Sequence, residues 1–168
     1  MKRITVGIPM KSYLKKYALW RAGYPDKDII DVSNDSNISL VASSLLSGKM
    51  VYTRQYHTDE DNKLGSYNDE LLVRVKINHY NHLMLFYTRD GVRTFNKFVY
   101  QSFHDTLLDY ILWNKSDFVP QKETIRKFLN MLEIQEDEIS LDSIKKSNYR
   151  LRKKRDLGVF RVLGSKSA

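Results

Sequence analysis

Phe95, Val99, Phe103, Leu107 and Ile111 recur at every fourth position. That spacing predicts one amphipathic helix of about five turns. Such a helix must bury its apolar side, so the rest of the chain has to supply a surface for it. Upstream the period is different. Leu71, Val73, Val75 and Ile77 alternate with Leu72, Arg74, Lys76 and Asn78, as in a half-buried strand. The change falls at Asp90-Gly91. The chain therefore reads as α+β: a small antiparallel sheet with helices over residues 1–90, a helical part over 91–156, and a loose tail over 157–168.

Shorter signals fill in this frame. Ile4, Val6 and Ile8 alternate with polar residues and predict a strand ended by Pro9. Residues 10–22 follow as a helix with Met10, Tyr13, Leu14, Tyr17 and Leu19 on its apolar side, stopped by Gly23 and Pro25. Residues 26–37 are polar and turn-rich, 38–47 suggest a short helix, and 51–56 a strand. The 71–77 strand and the apolar run 83–87 suggest an antiparallel hairpin. Ile125, Phe128, Leu129 and Leu132 predict a further helix opening at Pro120. Ser140 is a candidate N-cap for the last helix, with Leu141, Ile144 and Leu151 on one face.

The formal net charge is +8, and it is unevenly spread. Residues 1–30 hold seven basic and two acidic residues, residues 31–120 nine and eleven, and residues 121–168 twelve and seven. Basic ends around a nearly neutral middle suit a polyanionic partner. A basic surface that only confers solubility stays open as the alternative. Cysteine is absent, which excludes disulfides and Cys-based zinc sites. No apolar run approaches the ~20 residues of a membrane span, and the N-terminal apolar stretch is short for a secretion signal. A cytoplasmic location is expected.

The strongest candidate site is the last helix. Lys145, Lys146, Arg150, Arg152, Lys153, Lys154 and Arg155 lie within eleven residues that contain no acid. With Leu141, Ile144 and Leu151 docked, Lys146, Arg150 and Lys153 would face outward, with Lys154 adjacent. Tyr149 falls at the border. Together with the preceding helix over 121–132, this suggests a helix-turn-helix-like unit. Its cations would neutralise phosphates, and Ser147 and Asn148 are the nearest uncharged candidates for base contacts. Lys11 and Lys15, one turn apart in the first helix, form a second candidate patch. Cations that merely complement a helix C-terminus are the competing explanation.

Several stretches resemble a group of short uncharacterised proteins encoded by prophages and mobile elements. They are the strand ending in Ile8-Pro9 with Lys11-Ser12-Tyr13-Leu14-Lys15-Lys16-Tyr17, then Phe95-Asn96-Lys97-Phe98, Thr124-Ile125-Arg126-Lys127-Phe128-Leu129, Asp137-Glu138-Ile139 and Lys145-Lys146 with Tyr149-Arg150. The resemblance spans about residues 1–22 and 95–155. It implies a mobile-element setting and transfers no catalytic residue.

Catalytic signals are weak. His79 and His82 have a usable metal-ligand spacing but no third ligand nearby. The segment Asp59 to Glu70 has the length of a calcium loop but places Leu64 where such loops need glycine. His104, Asp105 and Asp109 could serve a metal nuclease, and read more simply as the solvated face of the long helix. Phosphate-binding glycine motifs are absent. The expectation is a non-enzyme without cofactor or metal that binds nucleic acid, duplex DNA before RNA, with a homodimer left open. A module that binds a host or phage protein, with Trp20, Trp113 or Phe160 exposed, is the alternative, and a metal-dependent nuclease the third.

Overall fold

The computed structural model describes residues 3–24, 27–32, 36–46, 67–76, 89–114 and 120–164, the last helix by its backbone alone beyond Lys153. Within them the order is β1 (Arg3–Met10), α1 (Ser12–Arg21), β2 (Ile29–Asp31), α2 (Asn37–Leu46), β3 (Asp69–Lys76), α3 (Arg89–Trp113), α4 (Gln121–Met131) and α5 (Leu141–Gly164). The α+β class follows. The expected strand over 51–56, the second hairpin strand, His79, His82 and most of the Asp59–Glu70 segment lie outside the described residues.

The three strands run in the order β1-β3-β2. β3 pairs antiparallel with β1 (Val6 opposite Val73, Ile8 opposite Leu71) and parallel with β2 (Ile30 opposite Val73). The sheet is therefore mixed, where an antiparallel one was expected. A three-residue strand carries too little alternation to be seen, so β2 was hidden in a polar stretch. Ile8, Met10, Ile30, Leu71, Val73 and Val75 share one buried face. On the opposite face Arg3 Nη1 reaches over the central strand to Asp31 Oδ2 at 3.1 Å. β1 does not stop at Pro9. As an edge strand it tolerates a residue without an N–H, and the Pro9 carbonyl accepts from Asn96 Nδ2 at 2.9 Å.

Contacts divide the chain into two compact units, Met1–Phe103 and His104–Ala168, so the division falls inside α3. In the first unit α1 packs through Tyr13 and Tyr17, both edge-on to Phe103 with ring centroids 5.5 Å apart. Tyr17 Oη also lies 2.7 Å from Ser102 Oγ. Burial raises the Tyr13 hydroxyl well above its ordinary range, so it stays protonated. Val92, Phe95 and Val99 complete the buried stripe of this part of α3. Among the described side chains of α2, Ile38, Ser39 and Ala42 are buried, while Leu40 stands exposed.

In the second unit Leu107, Leu108, Ile111, Ile125, Phe128, Leu129, Leu132, Ile134 and Ile144 are buried. The rings of Tyr110 and Phe128 pack tilted by 50° with centroids 5.3 Å apart. Ser140 caps α5 as expected, its Oγ accepting from Ser143 N at 3.3 Å. The backbone of α5 runs on to Gly164, past the expected end at 156.

Two helices end in the same way with different residues. After α1, Gly23 N donates to Trp20 O and Tyr24 N to Leu19 O, with Gly23 at φ 81. After α4, Glu133 N donates to Asn130 O and Ile134 N to Leu129 O, with Glu133 at φ 55. Both are Schellman turns, which need a left-handed residue at their centre. Glycine adopts that backbone freely, whereas a side chain there costs about 1–2 kcal/mol. Gly23→Ala is therefore expected to lower unfolding free energy by about 1 kcal/mol and Glu133→Gly to raise it by about 0.5–1 kcal/mol. Urea midpoints measure both, and a neutral Gly23→Ala or a destabilising Glu133→Gly would contradict the left-handed turns.

Candidate nucleic-acid interface

The orientation of α5 decides which of its side chains can meet a ligand. Ile144 is fully buried, and one turn on Asn148 is 1% exposed. Leu141 and Leu151 are half-buried on the same side. At about 100° per residue, Lys146, Tyr149 and Lys153 fall on the far side. Lys145, Lys146, Arg150 and Lys153 are all exposed, and Tyr149 is 69% exposed. Lys145 Nζ approaches Asp142 Oδ1 at 4.0 Å. Lys146, Arg150 and Lys153 form no ion pair with the described residues. Through Lys153 the face is thus cationic and, among the described residues, uncompensated after its first turn.

Asn148 is buried and does not offer its amide to a base edge, contrary to expectation. His104 Nδ1 lies 3.1 Å from Asn148 Oδ1 inside the second unit. With the Asn148 amide oxygen as partner, the imidazole Nδ1 is the donor of this bond. His104 is itself fully buried, which overturns its place on a solvated face. Burial lowers its pKa, and the bond to Asn148 and the nearby Asp105 oppose that shift. Asp105 is half-buried and Asp109 exposed, so these three residues do not face a common cleft. Among the described residues, no three His, Cys, Asp or Glu gather closely enough to hold a metal ion. The signal for His104 was present. His104, Leu107, Leu108 and Ile111 follow the i, i+3, i+4, i+7 spacing of a buried face.

Arg152 belongs only partly to the outward face. It is half-buried, and its Nε is enclosed without a hydrogen-bond partner among the described residues. Lys154 and Arg155 lie on the α5 backbone, with side chains outside the described residues. In the first unit Lys11 is exposed, but Lys15 is half-buried and donates to Asp69 Oδ1 at 3.0 Å. The ion pair ties α1 to β3 and compensates the charge of Lys15.

The approach to α5 also differs from expectation. Residues 132–140 separate α4 from α5. A helix-turn-helix turn has about 3–4 residues, so the short connection of that motif is not seen. The acidic stretch within it is tied back to α4, with Glu136 Oε1 3.5 Å from Arg126 Nε. Glu138 Oε2 accepts from Gln135 N at 2.9 Å.

Elsewhere, a depression of about 520 Å³ in the first unit is lined by Tyr24, Lys27, Asp28, Ile29, Asp31 and Arg74. Its two cations are balanced by two carboxylates. At the end of α3, Leu112 is 51% and Trp113 89% exposed, whereas Trp20 is only half-exposed. No helix among the described residues is long and apolar enough to cross a membrane. Comparison with protein-family models, curated proteins and solved structures finds no match.

The His104–Asn148 pair gives a pH dependence with a defined sign. With the folded pKa below the ordinary value of 6.5, the unfolded chain takes up a proton that the folded chain refuses. The contribution is complete above about pH 6.5 and is lost as pH falls toward the folded pKa. Urea midpoints at about pH 7.5 and about pH 5.5 should therefore fall further for the natural chain than for His104→Gln. Equal falls in both chains would remove His104 as the source.

Proposed function

We propose that this protein binds nucleic acid through the outward face of α5, in an accessory or regulatory role within a mobile element. The observation that supports this most is the trio Lys146, Arg150 and Lys153, exposed without an ion pair to the described residues, on a helix held by its opposite side. Cations so placed can neutralise phosphates and release condensed counterions. Exposed Lys145 adds to the face, Arg152 contributes only in part, and exposed Lys11 adds charge in the first unit.

A second reading, a protein-interaction module, is favoured by Trp113. Trp113 is 89% exposed beside a half-exposed Leu112, which places two apolar side chains at one helix end. Such a side chain anchors protein interfaces well.

The test is binding of the full chain to labelled duplex and single-stranded nucleic acid across ~50–300 mM salt. Arg150→Glu with Lys153→Glu should weaken binding roughly tenfold or more and flatten the salt slope by about 2. Its thermal midpoint should stay near that of the natural chain, since both side chains are exposed. Full binding by the double variant would overturn the assignment to α5. An absence of binding at ~50 mM salt would overturn the nucleic-acid reading and leave the Trp113 surface as the better candidate.

A further inference from the structure

Given the nucleic-acid reading of α5, on which this rests, we propose that the face takes unpaired bases, with the ring of Tyr149 as a stacking platform. Tyr149 is 69% exposed and lies in the middle of the cationic face. Lys145 and Lys146 precede it by one turn, Arg150 adjoins it, and Lys153 follows one turn later. At about 1.5 Å per residue, Lys146 and Lys153 stand about 10 Å apart along the axis with the ring between them. An aromatic side chain framed by phosphate-binding cations is the arrangement that holds single strands, because every unpaired base has a face to stack.

The same helix is poorly equipped to read a duplex. Base edges in a groove are read by amide, hydroxyl and guanidinium groups. Of these groups α5 turns the Arg150 guanidinium outward, but its one amide, Asn148, is buried against His104, and Ser147 is half-buried with a partner of its own. The connection to α4 lacks the helix-turn-helix spacing. An exposed phenol ring gains little against a duplex, whose bases are already stacked on one another. Lys and Arg alone would hold duplex and single strand alike, so the ring is what separates them.

The full chain is titrated with a labelled oligothymidylate, the same-length strand of abasic sugar-phosphate, and a duplex. The natural chain should prefer oligothymidylate over both others by roughly tenfold or more, the scale of one stacked base. Tyr149→Ala should lose that preference, with unchanged salt slope and unchanged affinity for the duplex and the abasic strand. Tyr149→Phe, which keeps the π-face, should restore it. Circular dichroism checks that the variants fold, as expected for an exposed position. Equal affinity for oligothymidylate and abasic strand, or a Tyr149→Ala chain as selective as the natural one, would overturn the stacking role. In either case Arg150→Glu with Lys153→Glu still reports on the nucleic-acid reading, because it removes phosphate contacts common to all three ligands. If no ligand binds at ~50 mM salt, both proposals fall together.

Discussion

The buried hydrogen bond between His104 and Asn148 joins the apolar stripe in fixing the rotation of α5 about its own axis. Apolar contacts through Ile144 alone would tolerate some rotation, because hydrophobic burial has no direction. A buried amide does not. Turning the helix by one residue, about 100°, would carry Asn148 away from the buried imidazole, and a lost hydrogen bond at a buried polar group costs about 1–3 kcal/mol. Held at this angle, α5 turns Lys146, Tyr149 and Lys153 to water. Burial holds the His104 pKa below its ordinary value, against the opposing pull of the bond to Asn148. The apolar stripe of Leu141, Ile144 and Leu151 and this polar contact together set which charges are presented outside the unit.

Charge plays a different part in the first unit. Residues 1–30 are as basic in sequence as the C-terminal region, yet two of their seven cations, Arg3 and Lys15, are engaged in structure. Arg3 bridges the two outer strands by pairing with Asp31 across β3. Lys15 holds α1 to the start of β3 through Asp69. A cation matched to a nearby carboxylate offers a phosphate little, since binding there must first break the pair. Net charge over a segment therefore marks a possible surface, and only pairing shows how much of it faces a ligand.

Much of the framework was legible along the chain. The four-residue recurrence from Phe95 to Ile111 located α3, because a long amphipathic helix repeats its signal over many residues. The alternation at Leu71, Val73 and Val75 located β3, and Ser140 located the start of α5. What escaped was short or depended on another element. β2 has three residues and little periodicity of its own. The end of β1 beyond Pro9 depends on its edge position, which no local pattern records. The turn at Glu133 carries no glycine, so its left-handed backbone had no marker.

The candidate site divides in the same way. By itself the sequence determined that α5 is an amphipathic helix dense in Lys and Arg, because periodicity and charge are properties of neighbours along one chain. Tertiary structure decided which of those residues meet solvent. It moved Asn148 inside to face His104, drew Arg152 partly in, engaged Lys15 with Asp69, and left Tyr149 standing among cations. These outcomes depend on partners some 44 and 54 positions away. Hydrogen bonds and ion pairs between distant residues have no local period, so only the folded chain brings them together.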